Sequence, residues 1–380
     1  MTQIENQSRM LLSLLVGAKD EIFVIALTAF TLVLPLSAAG VPALGVNVLV
    51  ATIGLWSIKR LVDRMISYTM QYRLALSIIA LLAIGTNLFN AALPNFTLQV
   101  DRDEALNIAA TRFVAGQYPY DARTPIGHPI SPLMGAVFLS MPFVFFAGNS
   151  SWQTFAWLVI ALWYFMWKSD HPLLFMIGIC LSAPLVLEIF YNNDLLANNL
   201  YVVLAMIWMI TSSSKPLSIA SAVFAGFALA SRFNFMFWIP SAIWFIAVTR
   251  GKREALYRIG IVLFVFTILT IPFYLADPAH FSPLHAISKV TLTALPNSGI
   301  IFVAVSMLVA LAIAPFATSL RRVLVCGAIA QATPILCVVL VTMVTREYDS
   351  IFIALAFGIN VSVPLLFVIA MRTKQSETSP

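Results

Sequence analysis

Charge is what this chain has least of. Acidic and basic residues fill 10% of 380 positions, hydrophobic residues fill 61%, and the mean hydropathy is +0.93. A soluble fold of that size has no way to hide so much apolar surface, so lipid is the solvent for most of the chain. Cysteine is scarce as well. Cys180, Cys326 and Cys337 stand inside apolar runs with no CxxC and no ligand spacing, so they read as small core residues. No HxxxH or HExxH occurs, so a dedicated metal cage is not expected. The sequence requires no cofactor and leaves a divalent metal undecided. The polar/apolar alternation of a barrel strand is also missing, and only helices or closed barrels satisfy their backbone in lipid.

What remains is an all-α, polytopic integral membrane protein. Its 12–13 apolar segments lie at 21–38, 42–58, 74–94, 131–147, 152–167, 173–190, 195–210, 217–231, 235–249, 259–275, 299–316, 323–345 and 351–371. The first segment is followed at once by a second, so no cleavable signal is expected. No solenoid repeat or soluble domain interrupts the chain. Residues 1–380 read as one transmembrane domain with two larger external loops, 95–130 and 276–298.

The net charge of +6 reports topology. Lys and Arg gather at 59–73, at 250–258, at Arg321 and Arg322, and at Arg372 and Lys374, all in short polar links. The positive-inside rule assigns such links to the cytoplasm. No nucleic-acid partner is expected. Counting outward from 250–258 puts 276–298, 231–235 and 191–194 outside, and counting from 59–73 puts 95–130 outside too. The two counts disagree, because six segments separate 130 from 250 where an odd number of crossings is needed. One segment within 131–190 must therefore be broken or re-entrant, with Pro142 and Pro184 as the places for it.

The longest polar stretch is 101–130, DRDEALNIAATRFVAGQYPYDARTPIGHPI. Asp101 and Glu104 have the spacing of a capping box. Leu106, Ala109, Ala110 and Phe113 then share a face, and Gly116 with Pro119 closes the element. The pattern predicts an amphipathic surface helix over 102–115 and an extended, proline-stiffened return over 117–130.

Asp103 is the first candidate for chemistry. It lies in the helix's first turn, where the dipole and free N–H groups are expected to keep it anionic and fit to act as a general base. Asp101, the N-cap, is a second catalytic candidate, and Glu104 is a candidate substrate contact. Arg232 ends an apolar run on the external side, against the positive-inside trend, where a phosphate would explain it. His128 and the pair His285 and Lys289 are further external groups near which a phosphate could sit, and Arg346 forms a third external cluster with Glu347 and Asp349, a local ion pair or a substrate contact. Asn193 and Asp194 stand at a polar helix junction that is costly in lipid unless it faces water, a cavity or a ligand.

Asp103, Ala109-Ala110, Gly116 and Pro119-Tyr120-Asp121 together resemble the first external loop of GT-C glycosyltransferases. The pattern is most similar to the mannosyltransferases that use polyprenyl-phosphate mannose. HPISPLMGAVFLSMP resembles the family's proline-led helix. YNNDLLANNLYVVLAM resembles its polar turn ahead of a Leu-rich helix, and AGFALASRFNFMFWIP its small-residue helix ending in a basic residue. RGKREAL resembles its basic cytoplasmic loop. The chain departs from the pattern at Asn107, where an aromatic is usual, and at Arg232, where lysine is commoner. It also has two apolar segments before the one leading into 95–130, where one is expected.

The resemblance implies a GT-C-like helical bundle in the cytoplasmic (inner) membrane, with its site on the external, periplasmic face. Asp103 would be the base and Arg232 a ligand of the lipid phosphate. The partners implied are a polyprenyl-phosphate sugar donor, a lipid or glycan acceptor, and membrane lipids. The alternative is a transporter or flippase for a lipid-linked or anionic solute, which buried polar junctions and broken helices also suit. A non-catalytic scaffold would have no use for Asp103.

Overall fold

The computed structural model describes residues 53–62, 64–93, 101–168, 170–284, 298–345 and 358–371. The predicted segment 21–38 and most of 42–58 lie outside these residues. Among the described residues the architecture is helical, with no strand beyond an isolated bridge between Arg123 and Pro129. In chain order the helices are α1 (Tyr68–Ala92), α2 (Arg102–Val114), α3 (Met134–Ala147), α4 (Trp152–Lys168), α5 (Pro172–Leu181) and α6 (Ala183–Phe190). They continue as α7 (Leu195–Thr211), α8 (Lys215–Leu229), α9 (Ile239–Arg250), α10 (Lys252–Ala276), α11 (Ser298–Ile313), α12 (Leu320–Thr345) and α13 (Ile359–Ala370). Proline stands in the first turn of α5, α6, α8 and α9, where a missing N–H leaves no hydrogen bond unmade.

Four stretches are long and apolar enough to cross a membrane: Tyr68–Ala92, Lys252–Ala276, Ser298–Phe316 and Leu320–Cys337. The number rises to six if the bent pairs α3 with α4 and α5 with α6 each count as one span. Leu81, Ile84 and Leu88 on α1, and Phe264, Ile268 and Leu275 on α10, are exposed, as a lipid-facing belt requires. The chain is an all-α, multi-pass membrane protein. Among the described residues, fewer helices are long enough to span singly than the 12–13 apolar segments expected from the whole sequence. α7, α8 and α13 are apolar but shorter, and the core gathers around α7, which is buried on nearly every side.

Two bends fall within 131–190, where the topological count requires a broken or re-entrant segment. α3 has 14 residues and is about 21 Å long, short of a hydrocarbon core of about 30 Å. Its N-terminal end is tied to the α8 exit, with Leu133 N–H donating to Ser231 O (3.1 Å) and Gly135 N–H to Ala230 O (2.8 Å). The corner after its C-terminal end is tied to α2, since Ser150 N–H donates to Asn107 Oδ1 (2.9 Å) and the Ser150 hydroxyl to Asp103 O (3.1 Å). Both ends of α3 therefore belong to one end of the bundle, and the chain turns through 108° into α4. Pro184 sits at the α5–α6 break (87°) as expected, but Pro142 lies inside α3, and the turn falls at Gly148 (φ +77°).

The loops sort into two ends. At one, α2 meets the 188–194 turn, Ser231 and Arg232, and the segment after α10. At the other, Arg250 and Arg258 donate to the carbonyls that end α7, with Arg258 Nη2 2.9 Å from Ser212 O. His171 N–H there donates to Ala370 O (2.9 Å), and Arg321 Nη2 to Val368 O (3.2 Å).

Close approach of α3 to α8 depends on Gly135. A Cβ there would lie 2.2 Å from Phe227 O and 2.5 Å from Ala230 O, both backbone atoms that cannot swing away. Gly135→Ala is expected to lower stability by about 1–3 kcal/mol, the usual range for overpacking. Gly260→Ala, which meets nothing within 4 Å, should be neutral or slightly stabilising. Unfolding of the two purified variants in detergent measures the difference, and equal midpoints would contradict the packing.

Candidate active site

α2 carries the acids and matches the predicted helix within a residue. Asp103, Leu106 and Ala110 fall on one stripe at helical spacing, and all three are buried. Leu106, Ala109 and Ala110 pack with Met134, Val137, Ala230 and Phe281 in one apolar cluster. Asp103 is drawn inward with that stripe and is only 5% exposed. Gly116 (φ +70°) ends the helix, with Gln117 N–H reaching back to Arg112 O (2.9 Å).

Three local expectations are corrected. Asp101 occupies the N-cap position, but its carboxylate makes no cap bond. It accepts from the Thr124 hydroxyl and faces His128 Nδ1 at 3.1 Å, so Asp101 and His128 clamp the start of α2 to the return loop. That return is extended in part, at Tyr118, Ala122 and the Arg123–Pro129 bridge, but a tight turn reverses it between them. Thr124 N–H donates to His128 O (2.9 Å), and Gly127 (φ +87°) supplies the reversal. Asp103, finally, is not held anionic by the helix dipole. Burial, followed by the hydrogen bond and negative charge of Glu104, raises its carboxyl to about 9, so it holds a proton at neutral pH.

Beside α2 lies a buried polar cluster. Arg232 Nη2 donates to both oxygens of Asp194, at 2.7 and 2.6 Å, and the Asp194 side chain is fully buried. Asn198 Nδ2 donates to the same carboxylate (2.8 Å) from the next turn of α7. Asn193 Nδ2 donates to Glu188 Oε1 (2.9 Å), and Arg102 Nη1 lies 3.5 Å from that oxygen. The cluster therefore joins the first turn of α2, the end of α6, the start of α7 and the exit of α8.

The hydrogen-bonding capacity of this cluster is incomplete. Glu104 Oε2, Glu188 Oε2 and Asn193 Oδ1 are buried acceptors without a hydrogen-bond partner, and Arg102 Nη1 and Arg232 Nε are buried donors without one. Buried polar groups are nearly always paired, so an accumulation of both kinds in one region marks a place where something polar completes them. The cluster can offer acceptors to hydroxyls and donors to an anion at the same place.

The structure thus brings Asp103, Glu104, Asn193, Asp194 and Arg232 to one end of the bundle, with Asp101 and His128 at its rim. His285, Lys289 and Arg346 lie outside the described residues. Glu188 and Arg102 were not singled out from sequence. A carboxylate within an apolar run, three residues before Tyr191, was the available signal for Glu188. Asn107 bonds the 149–151 corner, with its Nδ2 3.3 Å from Asn149 Oδ1 and its Oδ1 accepting from Ser150 N–H. At the other end of the bundle a cleft of about 570 Å³ is lined by Lys215, Arg250, Arg253, Glu254, Tyr257 and Arg258. No family model, curated protein or solved structure matches this chain.

Proposed function

We propose that the chain is an integral-membrane glycosyltransferase of the GT-C type. It moves a sugar, mannose by the resemblance of its first external loop, from a polyprenyl-phosphate donor to a lipid or glycan acceptor. The reaction takes place on the outer face of the cytoplasmic membrane. The observation that carries this reading is the buried carboxyl pair Asp103–Glu104 next to a buried cluster of ion-paired arginines and carboxylates whose hydrogen-bonding capacity is incomplete.

In the step proposed, the acceptor hydroxyl oxygen attacks the anomeric carbon with inversion. The bond from that carbon to the phosphate oxygen breaks, and its electron pair leaves with the lipid phosphate. The hydroxyl proton passes to Asp103 in its ionised form, a share that grows as pH rises toward about 9. The guanidinium groups of Arg232 and Arg102 stabilise the charge that develops on the phosphate. His128 and Lys289 are candidates for the same work, and His285 and Arg346 for further substrate contacts. Asn193 and Glu188 offer acceptors to sugar hydroxyls. The isoprenoid tail stays in hydrocarbon, against the exposed apolar belt.

The broken helices α3–α4 and α5–α6 also suit a transporter. Against that reading, the described acids and bases collect at the two ends of the bundle, and the cleft at the basic end is lined by helix-terminal residues. A structure of the protein with a polyprenyl phosphate tests the proposal. The phosphate is expected beside Arg232 and the 101–130 loop, and a phosphate held by Lys215 and Arg253 would overturn it.

A further inference from the structure

We infer that Asp121, Asp277 and His280 form a binding site for a divalent transition-metal ion, with Zn²⁺ as the best-suited probe. The ion would staple the return of the 101–130 loop to the turn that follows α10. This inference stands apart from the glycosyltransferase reading. One ligand atom from each of the three residues lies within 4.8 Å of the other two. Bound to one zinc ion at about 2.0–2.2 Å, such atoms are about 3.4 Å apart, so side-chain rotation brings Asp121 in while the 2.7 Å hydrogen bond between Asp277 and His280 opens to admit the ion.

The two segments that carry these groups are held together without any ion. The hydroxyl of Tyr118, the residue directly before the 3-10 turn Pro119–Asp121, donates to Phe273 O at 2.8 Å and lies 3.2 Å from Asp277 O. The Tyr120 ring meets Phe281 edge-on at 5.0 Å, and the Ser282 hydroxyl donates to Ile130 O. Asp277 is itself aimed. Its Oδ1 accepts N–H groups from Ala279 (3.1 Å) and His280 (3.2 Å), which turns Oδ2 to the imidazole Nδ1 at 2.7 Å. A ligand carboxylate fixed in this way by backbone donors is the kind of outer support that metal sites use. Asp121 stays available, because its nearest guanidinium, Arg112 Nη2, is 3.9 Å away, beyond hydrogen-bond reach.

The donor set selects the metal class. One imidazole nitrogen with two carboxylates suits Zn²⁺ or its neighbours in the first transition row, whereas Ca²⁺ and Mg²⁺ prefer oxygen alone. Exposure of Asp121 and His280 leaves water free to complete the shell. Arg112, beside Asp121, is nine residues along α2 from Asp103, about 13 Å away along the helix axis. The ion would therefore brace the loop from the end of α2 remote from the carboxyl pair.

The test uses the purified, untagged, full-length chain in detergent, stripped with EDTA and titrated with Zn²⁺ by calorimetry, with a melt recorded at each addition. A saturable site and a rise in melting temperature are expected. His280→Ala and Asp121→Asn should each raise Kd by more than the roughly tenfold that loss of even an outer-shell partner brings. Both positions are at the surface, so the variants should fold. Absence of binding in the wild type, or the same binding and melting shift in both variants, would overturn the site. So would Ca²⁺ binding as tightly as Zn²⁺.

Discussion

Replacing Asp103 with Asn is expected to lower sugar transfer by about a hundredfold or more, the effect of removing a general base. The fold should survive the change. Asp103 is buried and protonated at neutral pH, and Asn has nearly the shape of the neutral acid. The pH profile separates this cause from simple damage. Wild-type transfer should climb as pH approaches about 9, where the ionised share of Asp103 grows, and the variant's residual rate should lack that climb. Stability should move the other way. Because folding raises this carboxyl above its unfolded value of about 3.9, its contribution is present in full below that pH and is lost as pH rises toward about 9. Wild-type melting should therefore fall between pH 5 and pH 9 by more than that of Asp103→Asn. Equal transfer by the two proteins would remove Asp103 from the mechanism.

The largest effect on stability is expected from Arg232→Ala. Asp194 is fully buried, and Arg232 Nη2 touches both of its oxygens. Removing one partner of a buried pair leaves an uncompensated charge, which costs about 3–5 kcal/mol. Arg232→Lys should recover part of this, since an ammonium restores the charge without the planar guanidinium. Adding Asp194→Asn to Arg232→Ala removes the stranded charge, so the double variant should be more stable than the single one. Chemical unfolding in detergent reads all three. If Arg232→Ala unfolds like the wild type and loses only donor affinity, Asp194 has another counter-ion and Arg232 serves the phosphate alone.

The local features of this site were largely legible in the sequence. The bounds of α2, its buried face, its end at Gly116 and the break beside Pro184 all follow from periodicity and from glycine and proline chemistry acting within a few residues. What was not legible depends on contacts between distant segments. That α3 returns to the end it left is decided by Ser150 and Leu133 bonding to α2 and the α8 exit, which no local pattern announces. Asp103 was expected to be anionic because a first-turn acid favours the helix dipole. Packing of α3 over it reverses the outcome, since burial outweighs a dipole whose effect is small and surface-bound. Arg232 was read by itself as a phosphate ligand, whereas its partner Asp194 comes from another helix junction. Asp121, Asp277 and His280 meet only because Tyr118 and Tyr120 dock the loop on the end of α10.

The most direct test is a transfer assay on the purified chain in liposomes, with a polyprenyl-phosphate sugar labelled in the sugar and a soluble or lipid-linked glycan acceptor. The expected result is label leaving the donor and entering the acceptor with inverted anomeric configuration, about a hundredfold or more slower in Asp103→Asn than in wild type. A donor that stays intact while it, or a soluble anion, crosses the bilayer in a protein-dependent way would contradict the assignment and favour a transporter.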